Sequence, residues 1–137
     1  NLSKRQVKTP KIYFRDSGVL HALLGLQTQF DVHGHMKVGA SWEGFALEQV
    51  IHHAQAKPEE CYFWASHGEA ELDLLLLQHG KRLGYEFKYS EAPRVTRSMQ
   101  TAIQDLHLDQ LTVVYPGSHS YPLTEKIQVK SLMTMSA

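Results

Sequence analysis

Glu71-Leu72-Asp73-Leu74-Leu75-Leu76-Leu77-Gln78-His79-Gly80-Lys81-Arg82-Leu83-Gly84-Tyr85-Glu86-Phe87-Lys88 is the stretch on which the fold turns. Two β-like runs, Glu71 to Leu77 and Arg82 to Tyr89, flank His79-Gly80, a pair suited to a two-residue hairpin loop. With that loop Gln78 faces Lys81, and counting back along both strands sets Asp73 opposite Glu86. Side chains alternate along a strand, so Leu72, Leu74 and Leu76 are expected to share one face with Leu83, Tyr85 and Phe87, an apolar surface for a helix. A slip of one residue would spoil it. The other face then carries Asp73, Glu86 and Lys88 at one end and Leu75, Leu77 and Gly84 toward the turn.

Outward from the hairpin, Cys61 to Ala65 reads as a third strand of the same meander. Before it, Trp42, Phe45, Ala46, Val50 and Ile51 recur at helical spacing from about Ala40 to Ala56, with Ser41 as a cap and Lys57-Pro58 as a stop. After it, Met99, Ala102, Ile103 and Leu106 predict a helix over Arg94 to Leu108, followed by a strand at Leu111 to Tyr115. Ile127 to Val129 reads as an edge strand, and Met133 to Ala137 as a frayed end. Nearer the start, Lys11 to Arg15 looks extended, Gly18 to Leu24 forms a short helix, and Gln27 to Lys37 a loop. The expected organisation is one α/β domain over residues 1–137, with an entry segment 1–37 and a core 38–132.

The chain has 137 residues and is 42% hydrophobic, enough for one core and too short for two. Fourteen basic side chains balance fourteen acidic ones, so long-range attraction for a polyanion is weak. The single Cys61 has no partner for a disulfide or a Cys-based metal cluster, which suits a reducing, cytoplasmic setting. No apolar run approaches the roughly 20 residues of a membrane helix, and the start lacks a signal peptide's apolar segment. A first residue other than Met is what an excised fragment would show.

Opposed carboxylates repel, and a sequence selected for stability alone seldom places them beside a leucine-rich core. A divalent cation removes that penalty. Mg²⁺ takes carboxylate oxygens and keeps several waters, so Asp73 and Glu86 make half a cage for it, with Mn²⁺ as a substitute. Lys88, on the same face, would polarise an attacking water or stabilise phosphate charge. The chemistry this suits is metal-assisted phosphodiester hydrolysis. The plain alternative is a half-exposed salt bridge from Lys88, worth no more than about 1 kcal/mol.

Together with Glu43 on the first long helix, Asp73 and Glu86-Phe87-Lys88 resemble the motif of the PD-(D/E)XK nuclease superfamily, whose restriction-endonuclease-like fold is an α/β/α sandwich with a central mixed sheet. More closely, Lys8 to Gly18, Gly39-Ala40-Ser41-Trp42-Glu43-Gly44-Phe45, Tyr62-Phe63-Trp64, Glu71-Leu72-Asp73 and Glu86-Phe87-Lys88 resemble, in that order, the C-terminal domain-of-unknown-function family numbered 4143 of prokaryotic AAA+-type ATPases. That resemblance implies a catalytic set of Asp73, Glu86, Lys88 and Glu43, with Asp73, Glu86 and Glu43 as metal ligands. Glu48 is the other candidate for the helix carboxylate, and Glu43 is preferred because it follows Trp42. The resemblance also implies an N-terminal ATPase domain as a partner, absent from this chain. No Gly-x-x-x-x-Gly-Lys-Ser/Thr loop is present, so no ATP site is expected here. Glu71, two residues before Asp73, departs from the usual approach to the strand Asp and adds negative charge.

Arg94, Arg97 and Gln100 on the second helix are candidates for contacts with DNA, or else ordinary surface side chains. The pairs His33/His35 and His52/His53 lack the spacing of a common zinc site, and neighbouring helix positions diverge by roughly 100°. Ser41 and Ser90 lack the surroundings of a nucleophile elbow. Two functions follow: a metal-dependent nuclease, or a non-catalytic nuclease-like module for partner recognition or assembly. Oligomeric state is left open.

Overall fold

The computed structural model describes residues 35–66, 70–89 and 92–135, with side chains from Ser41 onward. The expected extended segment at Lys11 to Arg15, the short helix at Gly18 to Leu24, the candidate nucleophile Ser90 and most of the entry segment lie outside the described residues.

Helix α1 spans His35–Ala54. It starts five residues before the expected Ala40, so Ser41 does not cap it. The Ser41 hydroxyl is instead buried in the second turn, without a hydrogen-bond partner among the described residues. A short 3₁₀ turn, Pro58–Glu60, leads into β1 (Cys61–Ala65), then β2 (Glu71–Gln78) and β3 (Lys81–Phe87). Helix α2 (Arg97–Leu106) precedes β4 (Gln110–Tyr115), β5 (Tyr121–Pro122), β6 (Ile127–Ser131) and a closing 3₁₀ turn at Leu132–Thr134.

The six strands form one mixed sheet in the order β1-β2-β3-β4-β6-β5. β1, β2 and β3 are the expected antiparallel meander, while β4 and β6 run parallel to β3 and to each other. The last long strand is therefore interior, and the two-residue β5 takes the edge that sequence assigned to it. Met135, expected to fray, is 8% exposed and packs under α1.

The hairpin forms as its turn residues dictate. Gln78 pairs with Lys81, and His79 and Gly80 adopt φ of 54° and 73°. Two successive positive φ angles match the right-handed twist of the strands, and Gly80 reaches its own without a Cβ clash. Gln78 is further tied down through its amide to the Ala54 carbonyl and to Glu60.

One helix covers each face of the sheet. Ala46, Leu47, Val50 and Ile51 of α1 pack on Leu74, Leu76, Phe87 and Val114. Met99, Ala102 and Leu106 of α2 pack on Leu72, Leu75, Leu111, Val113, Ile127 and Val129. Leu72 thus lies on the opposite face from Leu74 and Leu76, a correction to the alternation expected of an unbroken strand. The cause is a β-bulge. Tyr62 pairs with Leu75 but Trp64 with Leu72, so Phe63 alone opposes both Asp73 and Leu74. The extra residue reverses the facing of everything before it in β2.

Helix α2 begins three residues later than its apolar spacing suggests, at the cap. Thr96 is extended and its hydroxyl accepts the Met99 N–H. Behind it, Gly84 makes room for the core. A Cβ there would lie 2.7 Å from Leu108 Cδ1 and 3.2 Å from a Leu72 methyl. Gly84→Val, favourable for a strand in isolation, is accordingly expected to destabilise the chain by about 1–3 kcal/mol through overpacking. Urea denaturation checks this; an unchanged midpoint would show that Leu72 and Leu108 yield freely. No helix among the described residues is long and apolar enough to cross a membrane.

Candidate metal and phosphate site

The bulge sits at Asp73, and there the β2–β3 ladder gives way to side chains. Backbone pairing runs from Gln78↔Lys81 to Leu74↔Tyr85. One step further, the Asp73 N–H donates to Glu86 Oε2 at 3.2 Å and the Phe87 N–H donates to Asp73 Oδ2 at 2.9 Å. Each carboxylate therefore takes the role a carbonyl would play in a regular ladder. These two backbone-to-carboxylate bonds hold the acidic side chains next to one another, as the hairpin count anticipated, though by a different set of bonds.

Glu86 faces the α2 side, between Gly84 and the strand end and beside Val113 on β4. It is 7% exposed. Burial pushes its carboxyl up to about 8, the neighbouring Asp73 carboxylate adds to the rise, and Lys88 opposes it. Glu71 also raises it, in the direction expected from the acidic residue two before Asp73. Lys88 Nζ lies 3.8 Å from Glu86 Oε1 with its side chain 43% exposed, so the ammonium group joins the pair while keeping access to solvent. The Lys88 N–H donates to the Val114 carbonyl, which fixes the backbone at the strand exit.

Asp73, Glu86 and Lys88 are thus brought together. Glu43 is on the exposed side of α1, and among the described residues no three His, Cys, Asp or Glu side chains form a group that could hold a metal ion. The preceding residue, Trp42, reaches the same end of the sheet, where its ring lies 5.8 Å from that of Tyr89. Glu48 lines an open depression along the last turns of α1, with Gln49, Ile51 and His52. Arg94, Arg97 and Gln100 are all exposed, and neither arginine figures among the charges acting on Glu86. His52 and His53 are exposed at the end of α1, and His33 lies outside the described residues.

Sequence reasoning missed Ser98. Its hydroxyl accepts the Glu71 N–H at 3.0 Å and donates to the Glu71 carbonyl at 3.2 Å, clamping the first residue of β2 to the first turn of α2. Nothing in the local sequence signals a contact across 27 residues. The bulge was equally hidden, because it depends on the partner strand.

Fold and site together define a mixed α/β domain with a helix on each face of a six-stranded sheet and a buried carboxylate pair beside a lysine. The chain belongs to the domain of unknown function family DUF4143, whose model matches residues 38–135. It is 44% identical over 127 residues to the uncharacterized protein Rv2008c of Mycobacterium tuberculosis and, to the same degree, to the uncharacterized protein Mb2031c of Mycobacterium bovis. Each alignment covers 93% of this chain and 28% of the relative, so the chain spans little more than a quarter of the length of these proteins. No solved structure matches.

Proposed function

We propose that this domain is a restriction-endonuclease-like module of PD-(D/E)XK type, in which Asp73 and Glu86 hold Mg²⁺ or Mn²⁺ for phosphodiester hydrolysis of DNA. The observation that carries the proposal is a pair of adjacent carboxylates held at a bulge by the Asp73 and Phe87 N–H groups, one of them buried and raised to about 8, with an ammonium group 3.8 Å from it. Burying an acid that resists ionisation, beside a second acid, costs stability that an all-apolar strand end would avoid. A bound cation offsets that cost.

The donor set fits a hard cation: two carboxylates, with water completing the shell, is how Mg²⁺ is commonly held. Such a cation supplies Lewis acidity at a phosphate and a more acidic bound water. The protein's own contribution is positional. The Asp73 and Phe87 N–H groups orient the carboxylates, and the buried Glu86 site keeps the local dielectric low. Lys88 places positive charge where a pentavalent phosphate would gather negative charge, at no reorganisation cost. Asp73→Asn keeps an acceptor for the Phe87 N–H while removing a charge. In calorimetric titrations it is expected to weaken Mn²⁺ binding at least about tenfold and to abolish DNA cleavage. A folded wild type that neither binds Mn²⁺ nor cleaves DNA would refute the proposal.

A second reading has its own support. Among the described residues no three His, Cys, Asp or Glu side chains form a group that could hold a metal ion, and the whole chain is electrically neutral. These favour a non-catalytic nuclease-like module for partner recognition or assembly, joined in a longer protein to an ATP-binding AAA+-type domain. Cation binding without cleavage, lost in Asp73→Asn, is the result this reading expects. A cytoplasmic setting belongs to both readings.

A further inference from the structure

Among the described residues only two large apolar side chains are well exposed, Met133 at 69% and Tyr89 at 45%. Tyr89 follows Lys88 directly at the exit of β3, and Trp42 of α1 supports its ring at a centroid distance of 5.8 Å and a 44° tilt. Lys88 reaches back to Glu86 on the α2 side, whereas Tyr89 meets α1. The end of β3 therefore carries an ammonium group on one flank and a half-exposed aromatic ring on the other.

A ring left partly in water forgoes burial, and this one stays half-exposed while packing against Trp42. Cation on one side and aromatic face on the other is the pairing that a nucleotide satisfies, its phosphate meeting the lysine and its base the ring. With no net charge to attract a polyanion over distance, a nucleic acid held here would depend on short-range contacts such as base stacking. Bases within a duplex already stack on one another and present no free face, so only an unpaired base can use the platform.

We infer that Tyr89, backed by Trp42, is a stacking platform for an unpaired nucleobase, so that the site beside it receives single-stranded nucleic acid. The assignment of the phosphate to Lys88 rests on the function proposed above; the stacking itself does not.

The test uses the 137-residue chain in EDTA, with oligo-dT, oligo-rU and a DNA duplex as probes. Trp64 is fully buried, so a change in tryptophan fluorescence reports on Trp42, the other tryptophan of the chain. Both single strands, or one of them, are expected to quench it and the duplex to bind more weakly, the two single-stranded arms deciding between DNA and RNA. Tyr89→Ala should weaken binding about tenfold, within the range for loss of one stacked base, while Tyr89→Phe and Met133→Ser bind as wild type. The inference is overturned by Tyr89→Ala binding oligonucleotides as wild type does, by preference for the duplex, or by no binding at all. Because EDTA removes divalent cations, stacking that persists in a chain shown to bind no Mn²⁺ would sink the metal-site proposal alone. Mn²⁺ binding with intact affinity for oligonucleotides in Tyr89→Ala would sink the platform alone.

Discussion

Between pH 5 and 9, without divalent cations, the chain is expected to lose stability as pH rises, and Glu86→Gln to remove much of that loss. In an unfolded chain Glu86 titrates near its ordinary 4.5; in the folded domain burial, reinforced by Asp73 and opposed by Lys88, raises it to about 8. Between those values the folded state holds a proton that the unfolded state has released, so unfolding free energy falls with increasing pH. Below about 4.5 both states are protonated and Glu86 contributes no pH dependence. Above about 8 both are ionised and the full cost is present. That cost is on the order of 2–4 kcal/mol, given mutual coupling with Asp73. Gln retains an oxygen for the Asp73 N–H but carries no charge to bury. Denaturant midpoints of wild type and variant, compared at each pH, cancel the histidines common to both. Parallel curves for the two chains would contradict the burial and pairing of Glu86. A divalent cation reverses the trend, since it competes with the proton: Mn²⁺ affinity should rise as pH approaches 8, with proton release visible in buffers of different ionisation enthalpy.

Lys88→Ala is expected to reduce DNA cleavage about 10²–10³-fold, the size of effect seen when one preorganised charge at a transition state is removed. Cation affinity should move the other way and become slightly tighter, because an ammonium group 3.8 Å from Glu86 competes with a metal for the same charge. Opposite signs in the two measurements separate a catalytic lysine from a structural one. If Lys88 served only as a salt bridge, its removal would cost at most about 1 kcal/mol of stability at its half-exposed position and leave cleavage intact.

Much of the local architecture was legible because it rests on interactions close in sequence. His79-Gly80 selects a turn, the turn selects a register, and the register carries Asp73 toward Glu86. The apolar spacing of Ala46, Val50 and Ile51, and that of Met99, Ala102 and Leu106, marks the buried stripe of each helix. Helix starts were less legible. Ser41 looks like a cap but is overridden by a helix that continues back to His35, while Thr96 does cap α2. Propensity at a helix end is worth little against the packing of several buried side chains.

The amino-acid sequence alone settled the antiparallel meander and the meeting of two acids and a lysine, since alternation and turn chemistry are local and leave few registers that bury the leucines. Tertiary structure decided what surrounds that meeting. The extra residue of β2 opposite Phe63 makes the bulge that sends Leu72 to the α2 face, and Ser98 at the start of α2 clamps Glu71. Burial of Glu86 on the α2-facing side of the sheet, next to Asp73, turns an ordinary carboxyl into one that holds its proton near neutrality. Those outcomes depend on partners distant in the chain, where desolvation and packing, rather than the preferences of neighbouring residues, set the energy.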